Sequence, residues 1–314
     1  MEDRVLPTGR GHKLRDCRYR IEYAAMRLTV FLLRLLPIDI ATAVTAATFR
    51  MLAPWTRLHQ RALANLKSAF PQADAAERGR IASAMWGNTG RVVAETVLLD
   101  RILSDPGRIT VTGGEALSKR LATPGPNIAV TLHLGNWELV ARAYAICGGT
   151  LMAVYRPFRN PYIDRWMLLQ RKCLYPAGLL AKGGSHDDRR AGHATARGLL
   201  MQARQGASLG FVCDQAEWRS DFTVPFFGHR AKFSPVPAMI ARHVDAPIWA
   251  AKCQRIGQGS RFQIDISEIV VNRTNDRQRD VQLATTDMAR QFELWIRGTP
   301  DQWMWWQRRS IADG

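Results

Sequence analysis

Acidic residues are scarce in this 314-residue chain: 27 Asp and Glu face 44 Lys and Arg, a formal net charge of +17 at pH 7. So one-sided a balance argues against a basic partner and favours anionic ones: nucleic acid, anionic lipid or an acidic carrier protein. Cysteine is sparse and dispersed. Cys17, Cys147, Cys173, Cys213 and Cys253 include no C-x-x-C pair, which speaks against a zinc ribbon and a disulfide framework and suits a reducing compartment. No apolar run reaches the ~20 residues of a membrane span. No small-residue cleavage site follows a short apolar core, so no removable signal peptide is expected. Repeats and low-complexity segments are absent too. With 46% hydrophobic and 23% charged residues, the chain reads as an ordinary globular protein able to bury a large core.

The longest apolar stretch is residues 21–36, "IEYAAMRLTVFLLRLL", which stops at Pro37. Arg20, Arg27 and Arg34 recur through it every seven residues, a spacing that keeps them on one narrow stripe of a helix. Two readings fit: a helix lying in a membrane interface with its arginines reaching lipid phosphates, or a helix of a soluble bundle with a solvated arginine stripe. A second helix is predicted over 39–52, ended by Pro54. Residues 1–56 read as a basic arm with membrane-associating helices, and 57–314 as the catalytic domain.

Beyond Pro54 the chain alternates. Helical patterns at 57–70 and 75–99 precede strands predicted at 108–112, 128–132, 151–155, 208–213, 247–253 and 262–270, several followed by helix-length segments. A last amphipathic helix spans 281–296, and Ser234 is placed to cap a helix beginning at Pro235. The expected fold is α/β, with a largely parallel or mixed sheet flanked by helices.

In such sheets ligands bind beyond the carboxyl ends of the strands. Three polar residues fall there: His133 just past strand 128–132, Arg156 after 151–155, and Asp214 after 208–213. Any one is an ordinary strand terminator, but three together suggest a catalytic rim. His133 opens "HLGNWE". In an unbroken helix, positions i and i+5 diverge by roughly 140°, so His133 and Glu138 meet only if the chain turns between them. Gly135 permits that turn, and a helix start at Asn136 directs free N–H groups to the same place. A carboxylate on one imidazole nitrogen leaves the other free as a general base. The expected roles are His133 as base and Glu138 as its orienting carboxylate. Asn136 and Arg156 would stabilise an oxyanion or hold a phosphate, Arg171 would bind phosphate, and Asp214 would brace the rim.

"HLGNWE" resembles the H-x-x-x-x-D/E motif of glycerolipid-type acyltransferases in the form found in bacterial lipid A late acyltransferases, the lauroyl and myristoyl transferases. "NLKSAFP" (65–71), "VYRPFRNP" (154–161), "DQ" (214–215), "VPFFG" (224–228) and "DQWMWWQRR" (301–309) follow in the order of similar blocks in that family. The likeness covers nearly the whole chain after the N-terminal arm. Gln307 departs from it, standing where relatives carry a histidine. The resemblance implies transfer of a fatty acyl chain from acyl carrier protein or acyl-coenzyme A to a hydroxyl of a lipid A precursor, at the cytoplasmic face of the inner membrane, without metal or cofactor. Some relatives acylate phosphatidylinositol mannosides instead, which keeps another membrane glycolipid or phospholipid open as acceptor.

Other patterns in the sequence point elsewhere but lack support. "GASLG" (206–210) matches a nucleophile-elbow pattern at Ser208, but that motif needs a strand before the serine and a helix after it, and the order here is reversed. His186 and His193 lie in a polar stretch taken as a loop, and their spacing matches no ligand set. A nucleic-acid module would account for the charge and the ten tryptophans, yet no zinc-finger or RNP-type motif supports it, so no nucleic-acid partner is expected. A basic protein that binds anionic lipid without catalysis is the alternative of a different class. Trp303, Trp305 and Trp306 with Arg308 and Arg309 form either an interfacial belt with a phosphate clamp or a packed terminal segment.

Overall fold

The computed structural model describes residues 10–181, 189–215 and 222–307. His186, Arg308 and Arg309 lie outside them. Helices α1 (Arg10–Arg34) and α2 (Ile38–Leu52) are joined at Pro37, and α3 (Arg57–Ala69), α4 (Ala75–Val97) and α5 (Leu99–Leu103) follow. The α/β portion runs β1 (Ile109–Thr112), α6 (Gly114–Leu121), β2 (Asn127–Thr131), α7 (Val140–Ile146), β3 (Leu151–Tyr155), α8 (Pro161–Arg171), β4 (Leu179–Ala181), α9 (Arg189–Arg204) and β5 (Ser208–Val212). It ends with the hairpin β6 (Thr223–Phe226) and β7 (His229–Lys232), then α10 (Val236–Val244), β8 (Ile248–Arg255), β9 (Phe262–Ile269) and α11 (Arg277–Gly298).

Seven strands form one mixed sheet in the order β1-β9-β8-β2-β5-β3-β4. Every pairing is parallel except β8 with β9. The carboxyl ends of β8, β2, β5, β3 and β4 therefore share one edge. Strand β2 sits at the centre and is buried along its whole length, as expected for a strand covered on both faces. Its side chains alternate between two cores: Ile128 and Val130 face the one that includes Leu66, Leu209, Ala241 and Phe292, while Ala129 faces the one that includes Leu98, Leu139, Tyr144 and Trp249.

The α/β fold and the six predicted strands are present, with ends shifted by one or two residues. Two details differ from expectation: His193, read as part of a loop, lies in α9, and the cap of α10 is not the expected one. The N-cap of α10 is Pro235 with no side-chain capping bond, so Ser234 is not its cap. "VPFFG" is a tight hairpin in which Phe227 (φ 50°) and Gly228 (φ 77°) adopt left-handed backbone.

At the amino-terminal side, α2 packs along α4, where Gly90 admits close approach: a Cβ there would lie 2.5 Å from the Thr45 carbonyl oxygen. The arginine stripe is engaged by protein. Arg20 Nε donates to Asp16 at 2.8 Å, Arg27 to the Tyr23 hydroxyl at 3.3 Å, and Arg34 to the Val97 carbonyl at 3.0 Å and to the Asp100 carboxylate. The guanidinium groups thus have acceptors close by in the fold, and apolar side chains occupy the outward face. Leu28, Phe31, Leu32 and Leu35 of α1 and its end, Ile40, Val44 and Met51 of α2, and Trp55 beyond it are all exposed. Among the described residues no helix is long and apolar enough to cross a membrane.

Candidate active site

His133 lies two residues past β2, at the carboxyl edge, where the chain turns sharply through Gly135 (φ 57°). That turn sits against β8: a Cβ on residue 135 would fall 1.9 Å from the Cys253 carbonyl oxygen. Only glycine fits, for steric as well as conformational reasons. Because β5 is the parallel neighbour of β2, its end delivers Asp214 to the same point.

The Asp214 side chain is fully buried, and its carboxylate takes these donors among the described residues. Oδ1 faces His133 Nδ1 at 2.7 Å, and Oδ2 accepts the His133 backbone N–H at 2.9 Å and the Trp303 indole N–H at 2.7 Å. A carboxylate only accepts, so the proton resides on Nδ1 and the Nε2 lone pair is left available. The imidazole keeps 13% of its surface exposed, enough for a reactant to reach Nε2. The Gln215 amide nitrogen stands 3.4 Å from Nε2, and the Trp137 ring packs beside the imidazole with centroids 4.8 Å apart.

Glu138 has a different partner. It lies in a short 3-10 turn, Trp137–Leu139, and receives Arg171 side-on, Nε to Oε2 at 3.1 Å and Nη2 to Oε1. The expectation that Glu138 fixes the imidazole is met instead by Asp214. The five-residue spacing brings His133 and Glu138 into one turn, but the closest carboxylate at Nδ1 comes from the neighbouring strand. Arg171 is likewise committed to Glu138, linking the end of α8 to the turn. Burial, together with the charge on Glu138, raises the Tyr175 hydroxyl above its ordinary pKa.

Asn136 is 1% exposed and turned inward, donating from Nδ2 to Glu95 Oε2 at 3.0 Å. Its side chain faces the interior rather than the imidazole. Arg156 follows β3 on the same edge and is exposed. The rim thus collects His133, Asp214 and Arg156 at strand ends, as expected, with Glu138, Arg171 and Asn136 supporting the turn between them.

Two thiols lie nearby, and burial raises both: Cys213 well up, next to Asp214, and Cys253 to about 12. Neither has the lowered pKa of a nucleophile. Among the described residues no group of three or more His, Cys, Asp or Glu side chains could hold a metal ion.

Several residues of this edge went unread in the sequence. Glu95 is an acid inside the apolar helical run "RVVAETVLL", and Arg255 is the last residue of β8, at the same edge of the sheet as Asp214. Gln302 stands in "DQWMWWQRR", where the sequence draws attention to the tryptophans and arginines beside it. Gln302 O accepts the Gly135 N–H at 3.0 Å, and Met304 N–H donates to His133 O at 3.1 Å. Trp303 and Trp305 are fully buried, so the tryptophan-rich segment is packed rather than an exposed belt.

A model of the bacterial lipid A biosynthesis acyltransferase family matches residues 8–310. No curated protein matches the chain.

Proposed function

From the premise that the chain belongs to the bacterial lipid A biosynthesis acyltransferase family, we propose that it moves a fatty acyl chain from acyl carrier protein or acyl-coenzyme A to a hydroxyl of a lipid A precursor, with His133 as the general base. The observation that carries this reading is the imidazole held at Nδ1 by a buried carboxylate while Nε2 faces outward. Nε2 takes the proton of the acceptor hydroxyl, displacing the long contact to Gln215. The acceptor oxygen attacks the thioester carbonyl, forming the new C–O bond, and collapse of the tetrahedral intermediate breaks the C–S bond. The departing thiolate recovers the proton from the imidazolium, which Asp214 stabilises throughout. Arg156 is suited to bind the developing oxyanion or an acceptor phosphate. Glu138 and Arg171 brace the turn.

The same proposal includes the inner membrane, cytoplasmic face, as the working location. Supporting it is the exposed apolar face of α1 and α2 ending in Trp55, which is 89% exposed. Monomeric proteins seldom leave so many adjacent apolar side chains without cover, and a helix pair lying along a bilayer would bury them. The positive balance of the chain favours an anionic surface and an acidic carrier alike.

The deciding experiment incubates purified protein with a lipid A precursor in detergent and either acyl donor, and follows product mass. The expected result is a product heavier by one acyl group, formed at least about 100-fold more slowly with His133→Ala. A folded His133→Ala protein that transfers at a near-normal rate would overturn the assignment of the base.

A further inference from the structure

Beneath the Gly135 turn lies a group of buried polar side chains that the proposed reaction does not use. Glu95 of α4 is completely buried and Arg255 at the end of β8 keeps 5% exposure. They pair through both guanidinium nitrogens, Nη2 to Oε2 at 2.9 Å and Nη1 to Oε1. Ser260 Oγ donates to Glu95 Oε1 at 2.8 Å, and Arg255 Nε donates to Asn88 Oδ1 at 3.1 Å. Three contacts lead from this group to the turn. Asn136 Nδ2 donates to Glu95, Asn88 Nδ2 donates to the carbonyl oxygens of Gly135 at 3.4 Å and Gln302 at 3.2 Å, and Gln302, which receives the Gly135 N–H on its carbonyl, is itself clamped by its side chain to both backbone groups of Arg255, at 2.7 and 3.0 Å.

An ion pair this deeply buried gives little net stability over an apolar pair of the same volume, because desolvation offsets the attraction. What it supplies is direction: carboxylate and guanidinium meet in one two-bonded geometry, and the turn that carries His133 is fastened to it. We propose that Glu95 and Arg255 are positioning residues for the reaction, their side chains acting through Asn136 and Asn88 to hold the 133–136 turn so that the imidazole stands against Asp214 with Nε2 outward. Asn136 then serves catalysis from below the turn, without touching substrate. The inference rests on His133 being the base.

Displacement of a reacting group by about 1 Å is sufficient for losses on the order of 10²-fold. Asn136→Ala deletes one fastening and leaves the ion pair intact. It should lower kcat roughly 10–100-fold with KM unchanged and the melting curve little moved. The charge-balanced double variant Glu95→Gln/Arg255→Gln avoids leaving one buried charge alone and should show the same split between kcat and KM. Adding Asn136→Ala to it should then cause almost no further loss, since residues acting along one path are not additive. Losses that multiply would mean that Asn136 works on substrate directly, and a folded Asn136→Ala protein with normal kcat would mean that the fastening is idle; either result overturns the proposal. Should the double variant not fold, amide exchange at Gly135 decides without it. Faster exchange in Asn136→Ala supports the tether, and unchanged protection overturns it. That measurement needs no substrate, so it remains decisive even if the wild-type protein transfers no acyl chain, a result that would defeat the reaction assignment instead.

Discussion

The carboxyl edge of the sheet and the face of α1 and α2 solve opposite problems. At the edge, polar groups are buried: Asp214, Glu95, Asn136 and Arg255 all lie inside the fold, each with named partners. On the helical face, apolar groups are exposed, with Leu28 at 59%, Met51 at 67% and Trp55 at 89%. Burying polar side chains is tolerable only when every contact is prearranged, so the edge trades stability for fixed geometry. Exposing apolar ones is unfavourable in water but not against hydrocarbon. The contrast teaches that one region is finished by the protein itself, whereas the other has the character of a surface finished by something outside it.

The sharpest way to break this contrast is at the imidazole. His133→Ala should reduce acyl transfer by roughly 10²–10⁴-fold, the usual worth of a positioned base, with the fold retained by circular dichroism. Next, Asp214→Asn keeps the shape but allows the amide to meet Nδ1 as a donor, favouring the wrong tautomer. Its loss in kcat should approach that of His133→Ala and exceed that of Glu138→Gln, whose partner is Arg171. If Glu138→Gln is the more damaging of the two, the roles given to the carboxylates are reversed.

The helical face is tested by charge. Leu28→Glu/Leu35→Glu should shift the protein from membrane to soluble fractions and lower turnover of vesicle-embedded acceptor, leaving turnover of detergent-dispersed acceptor intact. Retention on membranes with normal vesicle activity would remove this face as the anchor.

The smallest effect concerns His59, at the joint between α3 and α4. Its Nδ1 accepts the Trp86 indole N–H at 3.1 Å, and burial lowers its pKa below the ordinary 6.5. The folded state therefore resists protonation that the unfolded chain accepts. Stability is complete above pH 6.5 and declines as the pH falls below it. The slope of melting temperature against pH in that range should flatten in His59→Gln. An unchanged slope would assign the acid sensitivity to other groups.

Much of the sheet was legible because β2, β3, β5, β8 and β9 carry the apolar runs or alternation that buried strands require. The rim was legible in part, since a polar residue directly after such a run points beyond the sheet's edge. Which of those residues touch was not: Asp214 meets His133 because β5 lies beside β2, and strand order is a tertiary fact. Arg255 was passed over because its strand was ended two residues early, at Cys253. The hairpin β6–β7 is too short to register as strands. The contact of Arg34 with Asp100 was not legible because nothing local announces a partner 66 residues away.

The strap at residues 302–304 sets an order of events during synthesis. His133 and Asp214 emerge from the ribosome long before Gln302, Trp303 and Met304, yet all three of these later residues bond directly to Asp214 or to the turn that carries His133. A nascent chain interrupted anywhere ahead of Gln302 would hold the histidine and its carboxylate without the clasp that aligns them. Alignment of the imidazole therefore waits until residues 302–304 have been made and folded back onto the sheet edge.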